Sequence, residues 1–189
     1  MSCRLPRTLR LDPSDTLVFT CAAEPGEWAV PGGFAFWDED PAQLTGQRRQ
    51  EFRSGFLGLG SFGWSTLVEV AEAGAEGRAA AVDALAAHIL QEFGAPHAAA
   101  ARAAAQEEIA FAESLCADHA PGTVLALSRS LEDGELRERF RTLHRRADAT
   151  GPHTQFNTLP VFGLVAVEGE DDEPAERPDL TSFAGGDKA

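Results

Sequence analysis

Residues 58–70 read GLGSFGWSTLVEV, and the fold turns on the seven residues after the third glycine. Gly58-x-Gly60-x-x-Gly63 spells a phosphate-cradling fingerprint, and Phe62 gives it the G-x-G-x-F-G form of protein-kinase nucleotide loops. In a dinucleotide-binding fold such glycines open a helix whose N-terminus meets the pyrophosphate. Here the next residues alternate instead. Trp64, Thr66, Val68 and Val70 fall on one face and Ser65, Leu67, Glu69 and Ala71 on the other, the period of a strand. A kinase loop does join two strands, but its chemistry needs a lysine on the second, and the one lysine in this chain is Lys188. The chain also lacks a D-F-G triplet, and its nearest approach to H-R-D is His144-Arg145-Arg146. The stretch is therefore expected to be a hairpin or bulged connection whose glycines supply positive φ angles, with Trp64 on the side of Val68 and Val70.

Outward from this stretch, strands and helices segregate along the chain. TLVFTCA (16–22) is rich in β-branched and aromatic residues and reads as a strand, and FAFW (34–37) as a short second one. Asp40 as cap and Pro41 at the first helical position open a short polar helix over 41–53. Apolar Ala79, Val82, Leu85 or Ala86, Ile89 or Leu90, and Phe93 recur at spacings of three and four, which predicts a helix over 76–93 ended by Gly94 and Pro96. A second Ala-rich helix over 97–118 carries Ala105, Ile109, Ala112 and Cys116 on one stripe. TVLALSRSL (123–131) reads as a strand. Leu136, Phe140 and Leu143 after Glu132-Asp133-Gly134 read as a short helix, and PVFGLVAV (160–167) as the last strand. Strands before and after a helix pair do not alternate as β-α-β-α would. The expected fold is α+β: one domain over 1–167, a largely antiparallel sheet packed against a pair of Ala-rich helices. Residues 168–189 carry eight acidic side chains against Arg177 and Lys188 and are expected to form a disordered acidic tail.

The formal net charge is -14, so a nucleic-acid phosphate backbone or an anionic lipid surface would be repelled. Neither nucleic-acid nor membrane binding is expected. The N-terminus lacks the apolar centre of a secretory signal and no apolar run reaches membrane-spanning length, which places the chain in the cytoplasm by default. Cys3, Cys21 and Cys116 are widely spaced and odd in number, so reduced thiols are expected rather than disulfides.

Three groups of residues are candidates for chemistry. Glu113, Cys116 and His119 stand three apart near the end of the second long helix, where they can converge on a metal or form a Cys-His nucleophile. The plain alternative is a buried small hydrophobe beside a histidine that favours the helix C-terminus, and no cofactor is expected. Arg137, Arg141 and Arg145, with Arg139 and Arg146, form the one basic concentration, suited to a phosphate-bearing ligand or an acidic partner surface, or to an ordinary solvated face. Trp28, Trp37, Trp64, Phe34, Phe36, Phe56 and Phe62 crowd the N-terminal β region as core or pocket wall. Phe62 and Trp64 make the Gly58–Trp64 connection the expected rim of any pocket.

AAEPGEWAV, FAFWDED, RSGFLGLGSFGWSTLVEV and EEIAFAESLC together resemble an uncharacterised bacterial family of domains of unknown function, over most of residues 5–145. The resemblance carries no activity, cofactor or catalytic residue. It implies an accessory or maturation role beside molybdenum-dependent formate dehydrogenases. Two function classes remain: a non-catalytic accessory protein with a protein partner, and a small enzyme or ligand-binding domain using Cys116 and His119 beside an aromatic pocket.

Overall fold

In the computed structural model, residues 3–145 and 164–166 are described. Two antiparallel sheets share the strands. The larger takes β1 (Arg4–Leu9), β5 (Leu67–Glu72), β6 (Val124–Glu132), β7 (Glu135–Arg145) and β8 (Leu164–Ala166), adjacent in that order. The smaller takes β2 (Ala29–Val30), β3 (Phe56–Gly58) and β4 (Trp64–Ser65). The helices are α1 (Asp15–Val18), α2 (Gly46–Ser54), α3 (Gly74–Glu92) and α4 (Ala98–Cys116), with a 3-10 turn at Gly33–Phe36. The α+β class expected from the sequence is the class observed, with two sheets in place of one. The proposed tail at 168–189 and most of the last expected strand lie outside the described residues.

The second sheet arises where the alternating stretch breaks. Trp64 and Ser65 pair with β3, while Leu67 onward pairs with β1 and β6. At the junction the carboxylate of Asp15 accepts the Thr66 N–H at 3.2 Å and the Thr66 hydroxyl at 2.6 Å, which fixes the change of direction. Trp64 is consequently not on the side of Val68 and Val70. Its ring enters a cluster with Phe36, Leu57 and Phe52, whereas Val68 and Val70 pack with Phe56, Leu125, Leu127 and Cys116.

Both long helices form where the apolar stripes predicted them, although Ala79 of the first stripe is exposed and Ala81 is buried instead. Ala81, Val82, Leu85 and Ile89 of α3 and Ala101, Ala105, Ile109 and Ala112 of α4 are buried, and the small alanines allow close approach of the two helices. His97 caps α4, its Nδ1 accepting the Ala100 N–H at 3.1 Å. Burying a Leu85 or Ile109 side chain fully contributes roughly 1.5–3 kcal/mol each.

Four local readings are corrected by the structure. The segment 16–22 is not a strand. Asp12 accepts the Ser14 N–H at 2.8 Å and Pro13 accepts the Thr16 N–H at 3.1 Å, so the polar run nucleates the single turn α1 before Phe19 enters the core. FAFW is not a strand either, because Gly32, at φ +74°, reverses the chain into the 3-10 turn. The helix expected at 136–143 is strand β7. Asp133 and Gly134 both have positive φ, +54° and +84°, and make the two-residue turn of a β6–β7 hairpin in which Leu127 pairs with Phe140 and Ser130 with Arg137. The polar helix expected over 41–53 starts later, at Gly46; Asp40 instead accepts the Ala42 N–H at 3.0 Å in a turn of its own.

Candidate functional site

The glycine loop does cradle an anion, and the anion is the protein's own. Gly60 and Ser61 donate their N–H groups to Glu27 Oε2 at 2.8 and 2.9 Å, while Glu27 Oε1 accepts the Glu24 N–H at 2.9 Å. The glycines serve closeness rather than positive φ, which none of Gly58, Gly60 and Gly63 adopts; the positive φ, +53°, belongs to Phe62. A Cβ on Gly58 would stand 2.5 Å from Glu27 Oε2, and one on Gly63 would stand 2.5 Å from the Ala22 carbonyl carbon. Phe62 stacks on His88 at 3.7 Å between ring centroids, and Trp64 is buried against Phe36. Neither Phe62 nor Trp64 lines the cleft that opens between the 3-10 turn and α4, so the expected pocket rim at Gly58–Trp64 is not where that cleft lies.

Glu113, Cys116 and His119 are drawn into different surroundings. Cys116 is fully buried among Val68, Val70 and Leu125, and burial, reinforced by Cys3, pushes its thiol up to about 12. A thiol there is protonated at neutral pH and is no nucleophile. Glu113 accepts Arg78 Nε at 3.0 Å, which with lesser help from Cys3 holds its carboxyl below the usual range despite some burial. The His119 backbone carbonyl accepts Arg4 Nη1 at 2.9 Å. Among the described residues no three His, Cys, Asp or Glu side chains form a group that could hold a metal. The arginines alternate along β7, with Arg137, Arg139 and Arg141 exposed. Arg139 and Arg137 pair with Glu132 at 2.8 and 3.4 Å, a surface ladder across the hairpin. The Arg145 side chain lies outside the described structure.

The site that does assemble was not singled out by any motif. The 3-10 turn, the residues after it, α4 and the tip of the β6–β7 hairpin enclose a cavity of about 470 Å³, within the range of ligand clefts. Its walls are Phe34, Phe36, Trp37, Phe111, Leu131 and Leu136. Trp37 is 72% exposed, Phe111 41%, Leu131 43% and Leu136 46%. Among the described residues these are four of the six large apolar side chains left in water, and all four face one cleft.

Beneath the cleft lies Arg129, fully buried in β6. Its Nε donates to Glu138 Oε1 at 2.6 Å, its Nη1 to the carbonyls of Phe52 and Gly55 at 3.0 Å each, and its Nη2 to the carbonyl of Pro31. One guanidinium thus ties the hairpin to the residue after β2, to α2 and to the link between α2 and β3. Burial pulls the Arg129 pKa down and the Glu138 carboxylate opposes that shift. Gly33 gives the carboxylate room, since a Cβ there would stand 3.0 Å from Glu138 Oε1. Glu108 reaches the cleft from α4, and Glu39 reaches it held by Arg48, whose guanidinium also lies 4.1 Å over the Phe36 ring. Burial, with Glu138 and Glu107 adding to it, raises the Glu108 carboxyl above its ordinary value against the opposing pull of Arg129.

The sequence held one signal for this site. Arg129 is the one charge in the otherwise uncharged strand TVLALSRSL, and a charge in a buried strand demands a partner carboxylate. Among the described residues no helix is long and apolar enough to cross a membrane.

Together these features define a two-sheet α+β domain with an apolar cleft over an acidic floor. The chain belongs to the family of unknown function DUF6505, whose family model matches residues 1–157 and so spans the whole cleft. No curated protein and no solved structure matches it.

Proposed function

We propose that the protein is a non-catalytic accessory protein that docks a partner protein in the cleft between the 3-10 turn, α4 and the hairpin tip. The observation that carries this reading is the convergence of Trp37, Phe111, Leu131 and Leu136 on one cleft. Isolated exposed apolar residues are ordinary, but a contiguous set in a concavity marks an interaction surface, and aromatic residues dominate binding hot spots. The floor supports binding rather than turnover: Glu138 is neutralised by Arg129, and four of the five donors of Arg129 are engaged by protein groups.

Affinity capture from the cells that make the protein tests this. A Trp37→Ala/Leu136→Ala protein is expected to lose a partner that wild type retains, while Leu17→Ala, which removes an exposed leucine outside the cleft, retains it. Equal capture by all three proteins would refute the reading. The resemblance drawn from the sequence extends the proposal to a cytoplasmic role in maturing a molybdenum-dependent formate dehydrogenase. That extension predicts that deleting the gene lowers formate dehydrogenase activity, and unchanged activity would remove it.

A further inference from the structure

Resting on the docking reading, we infer that the cleft receives a cationic side chain, an arginine or a lysine presented between apolar residues by a basic segment of a partner protein. The charges facing the cavity are unevenly matched. Of its three carboxylates, Glu39 is held by Arg48 and Glu138 by Arg129. Glu108 makes no hydrogen bond or ion pair among the described residues. Arg129 makes no hydrogen bond to it, its guanidinium being held by Glu138 and by the carbonyls of Phe52, Gly55 and Pro31.

A purely apolar occupant would bury Glu108 without a partner, and an anionic one would be repelled. A guanidinium or ammonium satisfies Glu108 while its methylene stem lies along Leu131 and Leu136. The rings of Phe34, Trp37 and Phe111 in the same walls favour a cation over a neutral polar group. The chain's net charge of -14 draws a basic segment toward the cleft and opposes pairing with a second copy of the chain.

The charged groups around Glu108 are Glu138 and Arg129 from the hairpin and Glu107 from its own helix, and Glu39, paired with Arg48 of α2, lines the same cleft. A bound cation favours the ionised form of Glu108. Affinity therefore falls as pH drops through the raised pKa of that group, where binding is coupled to release of its proton.

The test uses full-length protein and two fluorescent peptides with Gly-Ser flanks, one with a leucine–arginine–leucine centre and one with the neutral isostere citrulline in place of arginine. Fluorescence anisotropy at neutral pH is expected to show the arginine peptide bound about tenfold more tightly, a preference that Glu108→Gln abolishes. Thermal unfolding confirms that the variant is folded. Equal binding of both peptides that is weakened by Trp37→Ala would overturn the cationic occupant while leaving the docking cleft intact. Binding of neither peptide would overturn both. A dimer in sedimentation equilibrium that Trp37→Glu dissociates would give the cleft to a second copy and overturn the inference as well.

Discussion

Replacing Arg129 by methionine keeps the bulk of the side chain in β6 and removes its charge and donors, so the loss of stability reports the polar network alone. Three carbonyls, of Pro31, Phe52 and Gly55, lose the guanidinium donor, and Glu138 loses its counter-ion. An unsatisfied buried carbonyl costs about 1–3 kcal/mol, so three give an upper figure near 9 kcal/mol. Water can enter from the cleft beside Glu138, which is 19% exposed, and reduces that sum. Removing one partner of a buried pair typically costs about 3–5 kcal/mol, so about 4 kcal/mol is expected here. That is about a quarter or more of the stability of an ordinary domain. Equilibrium unfolding in urea, with the slope unchanged, measures it. The double variant Arg129→Met/Glu138→Met separates the two contributions. If the carbonyls dominate, it recovers no more than about 2 kcal/mol; if the ion pair dominates, most of the loss returns. A loss below about 1 kcal/mol in Arg129→Met would refute the view that this residue joins the hairpin of the larger sheet to α2 and the smaller sheet.

Gly63→Ala should destabilise by about 2–4 kcal/mol, because its Cβ meets the Ala22 and Ala23 backbone at 2.5–2.7 Å. Gly60→Ala, which meets the Glu27 side chain at 3.1 Å, should cost far less, and thermal unfolding compares them. Glu108 has a folded pKa above its unfolded one, so the stability it contributes is fully present below the unfolded pKa and is lost as pH rises through the folded one. Glu108→Gln should therefore be at least as stable as wild type at neutral pH, with the advantage vanishing in acid; a variant less stable at neutral pH would contradict this. Thiol titration of native protein should modify Cys21 rapidly. Cys3, partly exposed with its thiol pushed up to about 11 by burial and Glu113, should react slowly, and Cys116, buried with its thiol pushed up to about 12, only on unfolding.

The long helices were legible because their apolar stripes, Val82–Leu85–Ile89 and Ala105–Ile109–Ala112–Cys116, are the residues that are buried. The β6–β7 hairpin was misread because Leu136, Phe140 and Leu143 fit a helical spacing, whereas in the strand Leu143 falls on the face of the arginines, and because Glu138 interrupts the apolar face of β7 to meet Arg129. The Asp133-Gly134 pair was the turn signal that decides between the two. The break at Thr66 was invisible because Asp15, which clasps it, is 51 residues away. The cleft was illegible for the same reason. Phe34 and Trp37, Glu108 and Phe111, and Leu131 and Leu136 come from three distant segments that only the tertiary fold brings together. Fingerprint spacing in GLGSFG did report an anion cradle, but spacing alone could not say that Glu27 fills it.

The docking claim is tested most directly by placing a photo-crosslinking amino acid at position 37 in the cleft and, in a separate protein, at the similarly exposed position 17 outside it. The account predicts that irradiation in the native cells yields one dominant protein adduct from position 37 and none of that species from position 17. Indistinguishable adducts from the two positions, or none from position 37, would contradict it.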